Sequence, residues 1–336
     1  MATTLQQLYL LQIPEVQAIF ISVMENIVDR AVIDDMVEAI ENNDVEALYK
    51  ASGFTAALLN PIIKKIEEVY EQTASLTVGS WPKRLNAVFN IRNERVENDL
   101  RDFSSNFITN ITEEAKDVIR FELSEGMARG VNPRETALNI VGRVNPITKK
   151  REGAVIGLSS NQVRWVANAR KYLENLNEKY FTLGLRDKRF DSIVRKAIES
   201  GKKLNKDEIT KLITAYERKA LKYRGDAIAR TETMQAINRG EYASIRQGIE
   251  EGYIKENQVR KWWDDTGDGR TRLTHVGLGN KYNKKNMIGF NEPFVSVSGS
   301  QLLYPGDKSL GASLREIVHC RCKAQYKIDF LAEREI

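Results

Sequence analysis

The chain has 336 residues, of which 42% are apolar and 29% charged, and a formal net charge of +5. This length exceeds one minimal core and predicts two or three domains or subdomains, while the composition is too apolar for a disordered chain. So modest a charge permits contact with nucleic acid without demanding it, and two cysteines one residue apart exclude a disulfide framework, so folding in a reducing cytosol is expected. No window reads as a membrane span, and the start Met-Ala-Thr-Thr-Leu-Gln-Gln lacks the basic and apolar segments of a secretory signal, so no membrane partner is expected.

Residues 1 to about 250 read as almost entirely helical. Val16, Ile19, Phe20, Val23, Met24 and Ile27 recur at three and four residues and form one apolar helical face, with Pro14 expected in its first turn. Asn43-Asp44 caps a short helix, and another covers roughly 55–73. Gly79-Ser80-Trp81-Pro82 is a break, because Pro82 disfavours helix at Trp81. A long helix is expected from about Lys83 to Arg129, followed by one capped at Asn132 with Pro133 at its first position. Residues 142–158 read as a connection whose Lys149-Lys150-Arg151 is a solvated loop. Helices are then expected over 160–175, 189–199 and 207–251, with Gly240 marking a close helix contact.

After Tyr253 the pattern changes. Val259–Trp263 is a strand, with Trp262 and Trp263 on opposite faces, one in the core and the other free to anchor an interface. Asp264–Gly269 is a loop, and residues 294–304 form a hairpin turning at Gly299-Ser300. Arg321–Asp329 alternates as a closing strand. The expected fold is mostly α with a small C-terminal α+β module: a long helical stalk plus a β-hairpin-containing end domain. The expected division is an N-terminal helical region (1–80), a helical stalk or bundle (81–252) and the C-terminal module (253–336).

The only two histidines and two cysteines, His275, His319, Cys320 and Cys322, crowd into this last stretch. On a strand, Cys320 and Cys322 face one side and His319 and Arg321 the other, which makes His275 the natural third ligand from a distant loop. Soft thiolates with imidazole favour zinc, with Asp268, His319 or water in the fourth position. The alternative is two thiols packed as small hydrophobes, with His275 bonded to a carboxylate. Asp268 and Arg270 are expected to tie their loop down by charge-assisted hydrogen bonds. Arg230, Glu232 and Asn238 lie on one helix, where residues two apart do not meet, so each is expected to reach the C-terminal module. No phosphate loop, nucleophile elbow or metalloprotease helix is present, and no catalytic residue is assigned.

In combination, Ala229-Arg230-Thr231-Glu232, Trp262 or Trp263, the run Asp268-Gly269-Arg270-Thr271-Arg272-Leu273-Thr274-His275 and Cys320-Arg321-Cys322 resemble the phage head morphogenesis family, the Mu F-like minor head proteins. The resemblance covers roughly residues 120–330. It differs at His319, where the family usually has Asn. It implies a non-enzymatic structural role in the virion: association with the portal protein and major capsid protein during head assembly in the host cytoplasm, residence in the capsid interior or near the portal, and non-specific contact with packaged double-stranded DNA. A zinc-dependent hydrolase or nuclease using His275, Cys320 and Cys322, with Asp268 or Glu232 as base, and a DNA-binding packaging or ejection factor are the competing readings.

Overall fold

The computed structural model describes residues 5–331. In chain order its elements are α1 (Leu5–Asp29), α2 (Ile33–Glu41), α3 (Val45–Ala51), α4 (Asn60–Gly79), α5 (Glu94–Ala128), α6 (Pro133–Val141), β1 (Gly142–Val144), β2 (Arg151–Ala154), α7 (Ser160–Glu174), α8 (Asp191–Ser200), α9 (Lys206–Glu250), β3 (Val259–Asp264), α10 (Leu273–Lys281), β4 (Ile288–Gly289), β5 (Phe294–Val295), β6 (Gln301–Leu302), α11 (Leu314–Ile317) and β7 (Lys323–Ile328). The fold is mostly α, with small antiparallel sheets towards the C-terminus, as the periodicities predict.

Two compact units interleave along the chain. One comprises residues 1–17, 63–102 and 226–336; the other comprises 18–62 and 103–225. The second unit is helical apart from the β1–β2 hairpin. Its core gathers Val118, Leu158, Val163, Val166, Leu173, Tyr180, Leu212, Ile213 and Tyr216. Arg224 is buried there, bonded to the Gly157 carbonyl at 2.8 Å and paired with Glu114. Both contacts are needed, because a buried cation without partners is strongly destabilising.

The first unit holds the residues of interest. Its sheet runs β4-β3-β7, all antiparallel, and β3 pairs with β7 from Val259↔Ile328 to Asp264↔Lys323. Val259, Lys261 and Trp263 point into the core, whereas Arg260 and Asp264 are exposed and Trp262 is half-buried. Trp263 is thus the core tryptophan and Trp262 the outward one, as period-two alternation requires. Lys261 is fully buried; its Nζ donates to the Leu303 carbonyl at 2.8 Å and lies over the Phe294 ring. Burial pushes its pKa down to about 7. Gly240 does mark a close contact: a Cβ there would sit 2.5 Å from the Tyr70 carbonyl oxygen.

Five sequence expectations are corrected. Pro14 lies inside α1, which begins nine residues earlier in a run of good helix formers. Residues 7–29 of α1 are long and apolar enough, by length and composition, to cross a membrane, contrary to the reading above; Val16, Phe20 and Ile27 of that stretch are fully buried in the fold. The helix expected from Lys83 starts only at Glu94, because Asn90 and Asn93 accept hydrogen bonds from the amides two residues on and hold the chain in turns. Residues 142–154 form a hairpin with Val144↔Arg151. In the β5–β6 hairpin the Ser296 amide reaches the Ser300 carbonyl, so the turn is Val297-Ser298-Gly299, with Gly299 at φ +82°.

Candidate metal centre

The site begins where the β3–β7 ladder stops. Before Lys323 the chain passes through Cys320, Arg321 and Cys322 outside the strand. Alternation still governs it: both cysteines are buried, whereas Arg321 turns the other way and donates to both carboxylate oxygens of Asp268 at 2.6 Å each. His275 comes from the first turn of α10 rather than from a loop, as sequence reading had it. His275 and Leu278, three apart, form the buried face of that helix. The imidazole packs edge-on against Trp263, with ring centroids 5.2 Å apart.

Its Nδ1 lies 3.3 Å from Cys322 Sγ and 3.5 Å from Cys320 Sγ. The three ligand atoms all fall within 4.8 Å of one another, and all three residues are buried, so the group could hold a metal ion. The other ring nitrogen, Nε2, is 2.9 Å from Glu316 Oε2, although the approach is off the N–H axis. Glu316 also accepts from Thr274 Oγ1 at 2.9 Å and Ser298 Oγ at 2.7 Å. Burial opposes its ionisation, but the hydrogen bonds from Ser298 and Thr274 outweigh it and hold the carboxyl below its ordinary value. An ionised Glu316 facing Nε2 favours the tautomer that frees Nδ1 towards the sulfurs, an arrangement that orients metal-bound histidines generally. A hydrogen bond between the thiols shifts Cys320 down and Cys322 up, so Cys320 is the readier thiolate.

The other sequence candidates divide clearly. Asp268 is not in the cluster: besides Arg321, it accepts from the Arg270 amide at 3.0 Å and from the Arg270 guanidinium. The Arg321 hydrogen bond holds its carboxyl well below the usual carboxylate range. It therefore ties its loop down, as expected of Asp268 and Arg270, and is not placed as a fourth ligand. Arg272 donates to the Val318 carbonyl. His319 is exposed at φ +58°, and its amide donates to Thr231 Oγ1 at 3.0 Å.

Asn238 is fully buried and reaches the module. Its Nδ2 donates to the Cys322 carbonyl and its Oδ1 accepts from the Ala324 amide, both at 3.1 Å. Arg230 makes no hydrogen bond to it among the described residues. Its Nε pairs with Asp226, one turn back on α9, at 2.7 Å. Glu232 lies outside the cluster; burial raises its pKa against the opposing charges of Lys308 and Arg239. Sequence reasoning missed Glu316, Thr274, Ser298 and Thr231. Of these, Thr231 and Thr274 carried a signal, as members of the runs Ala229–Glu232 and Asp268–His275. Compared with protein-family models, curated proteins and solved structures, the chain finds no match.

Proposed function

We propose that this chain is a phage minor head protein, a structural component that associates with the portal and major capsid proteins during head assembly and resides in the capsid interior or near the portal. One observation carries the reading. Of the residues that carry the resemblance, Thr231, Trp263, Asp268, Arg272, His275, Cys320, Arg321 and Cys322, spread over some ninety positions, gather around His275 and the segment 318–322, while Arg230 pairs with Asp226 and Glu232 lies outside the cluster. That most of so dispersed a pattern meets in one place supports reading it as one structural motif. His319 adds to this: it adopts a left-handed backbone, which asparagine, the family's usual residue there, tolerates well.

Zinc is the metal we assign to the knot, because two thiolates and one imidazole suit it and Glu316 supplies the outer partner of the histidine. When bound it would cross-link the module. The carboxylates closest to it support a structural rather than hydrolytic role, since Asp268 is clasped by Arg321 and Glu316 is occupied by Thr274 and Ser298. The net charge of +5 suits non-specific contact with packaged DNA.

The deciding experiment is co-assembly. Expressed with its phage's coat, scaffold and portal, the chain should enter particles at low copy only when portal is present. Absence from particles in both conditions would overturn the assignment. Separately, the purified chain should carry about one zinc per molecule, lost in Cys320→Ser; a metal-free protein from zinc-replete cells would remove zinc from the reading.

A further inference from the structure

The helical second unit holds a buried acid without a partner. Glu217, on α9, is 3% exposed, yet its carboxyl makes no hydrogen bond or ion pair among the described residues. Buried polar groups are nearly always bonded, so this one calls for a partner. It is not sealed in: Glu217 lines a cavity of about 90 Å³ whose walls come chiefly from α1, β2 and α9. Thr214, one turn earlier on α9, lines it too, and its hydroxyl is also without a hydrogen bond among the described residues. The two side chains converge on Gly153 of β2, where a Cβ would sit 2.7 Å from Thr214 Oγ1 and 2.9 Å from Glu217 Oε2. At φ +78° that position favours glycine, so both oxygens face bare backbone.

Size and charge narrow the occupant. The volume lies between the roughly 30 Å³ of one water and the about 150 Å³ cavity that takes up benzene, which suits a group of about four or five heavy atoms. Among the lining charges, Glu25 and Glu152 stand against Arg151 and Arg218. Just beyond, Asp29 accepts from the Arg151 amide and Lys150 lies 3.9 Å from Glu25, so the balance holds. Burial lifts the Glu217 carboxyl to about 8, against the charges of Arg170 and Arg143 and with that of Glu122, and keeps it protonated at neutral pH. Met24, Val28, Ala154 and Leu221 supply apolar wall. These carboxylates do not gather as a metal site, since the knot is the only such group among the described residues. A neutral polar group therefore fits better than an ion of either sign. A protonated carboxyl donates through its O–H and accepts through its C=O, which complements the C=O and one N–H of a primary carboxamide. Thr214 Oγ1 can accept the second N–H.

We propose that this cavity binds a primary carboxamide, from a small neutral molecule or a glutamine or asparagine side chain, held by Glu217 and Thr214. The proposal is independent of the head-assembly reading. Its test is ligand-observed NMR titration of the full chain with propionamide, propionate and propylammonium, which are matched in size. Propionamide should bind saturably with a Kd of about 1–10 mM, and both ions at least about tenfold more weakly. Its affinity should fall about threefold to tenfold from pH 6 to pH 9, as Glu217 loses the proton it donates. Glu217→Gln keeps a donor and an acceptor, so it should bind propionamide equally at both pH values. Glu217→Leu should lose about tenfold or more, and Thr214→Val about threefold. Circular dichroism on each variant separates lost binding from lost folding, and the Gln variant keeps the test decisive if Leu does not fold. Given binding, a Gly-Gln-Gly peptide that binds at least as tightly as propionamide assigns the amide to a protein side chain; weaker binding assigns it to a free small molecule. The proposal is overturned if propionamide does not bind, if either ion binds as well, or if the pH dependence survives in Glu217→Gln.

Discussion

Asn238→Ala is the sharpest probe of how α9 supports the knot. Asn238 is fully buried and spans a helix and an extended chain through its amide. It donates to the Cys322 and Met234 carbonyls and accepts from the Ala324 amide, each at 3.1 Å. Alanine leaves the Ala324 N–H and the Cys322 carbonyl without these partners in a dry interior. An orphaned buried group costs about 1–3 kcal/mol, so two give roughly 2–6 kcal/mol, before any cost for the small void. We expect a loss of about 3 kcal/mol in urea unfolding followed by tryptophan fluorescence, since Trp263 packs against His275. Metal affinity should fall in parallel, because the Cys322 carbonyl is the anchor nearest one of the sulfurs. Asn238→Asp should be no rescue: it keeps an acceptor for Ala324 but sets an oxygen against the Cys322 carbonyl. A loss below about 1 kcal/mol with metal content intact would refute the claim that this amide positions Cys322.

Three further perturbations test separate parts of the fold. Glu217 is 3% exposed, and burial raises its carboxyl to about 8. The folded protein therefore holds a proton that the unfolded chain releases above about 4.5, and the group's stabilising contribution is full below that pH and lost as pH rises through 8. Glu217→Gln should stabilise by about 3 kcal/mol at pH 7, at about 1.4 kcal/mol per pH unit above 4.5, and by far less at pH 4; equal effects at both would contradict this. Gly240→Ala forces a Cβ to 2.5 Å from the Tyr70 carbonyl oxygen and should cost about 1–3 kcal/mol in thermal unfolding; a neutral result would mean that α4 and α9 yield freely. His319→Asn should stabilise by up to about 1 kcal/mol and His319→Val should destabilise, since only the former suits φ +58°; the reverse order would show that the imidazole itself matters.

The sequence was most legible where side-chain period and burial agree. α7 starts at the Ser159 capping box, β3 alternates cleanly, and α9 runs unbroken over 45 residues. The β1–β2 hairpin was illegible because Arg143, Arg151, Glu152 and Gly153 carry no apolar alternation; backbone pairing and the Asn145–Glu152 contact define it. α10 was hidden by Gly277, Gly279 and the lack of a capping side chain, which together lower intrinsic helicity. It forms because His275 and Leu278 are buried, which is tertiary information. Glu316 had no local signature at all. A lone acid in a four-residue helix looks like surface until the fold buries it beneath two hydroxyls and an imidazole.

The geometry of the knot explains what a metal would add. The β3–β7 ladder ends at Asp264↔Lys323. Beyond it the two segments stay linked through side chains instead: Asp268 to Arg321, Arg272 to the Val318 carbonyl, Thr274 to Glu316 and His275 to the cysteines. These cross-links are isolated side-chain contacts rather than a repeating backbone ladder, so this stretch should be the weaker end of the pairing. A metal at His275, Cys320 and Cys322 would close it. Chelation should therefore speed amide exchange across 268–275 and 316–322 by about tenfold or more while β3 and β7 keep their protection. Uniform loss across both regions would mean that the metal supports the whole unit. No change in either would mean that the thiols and imidazole pack equally well without it.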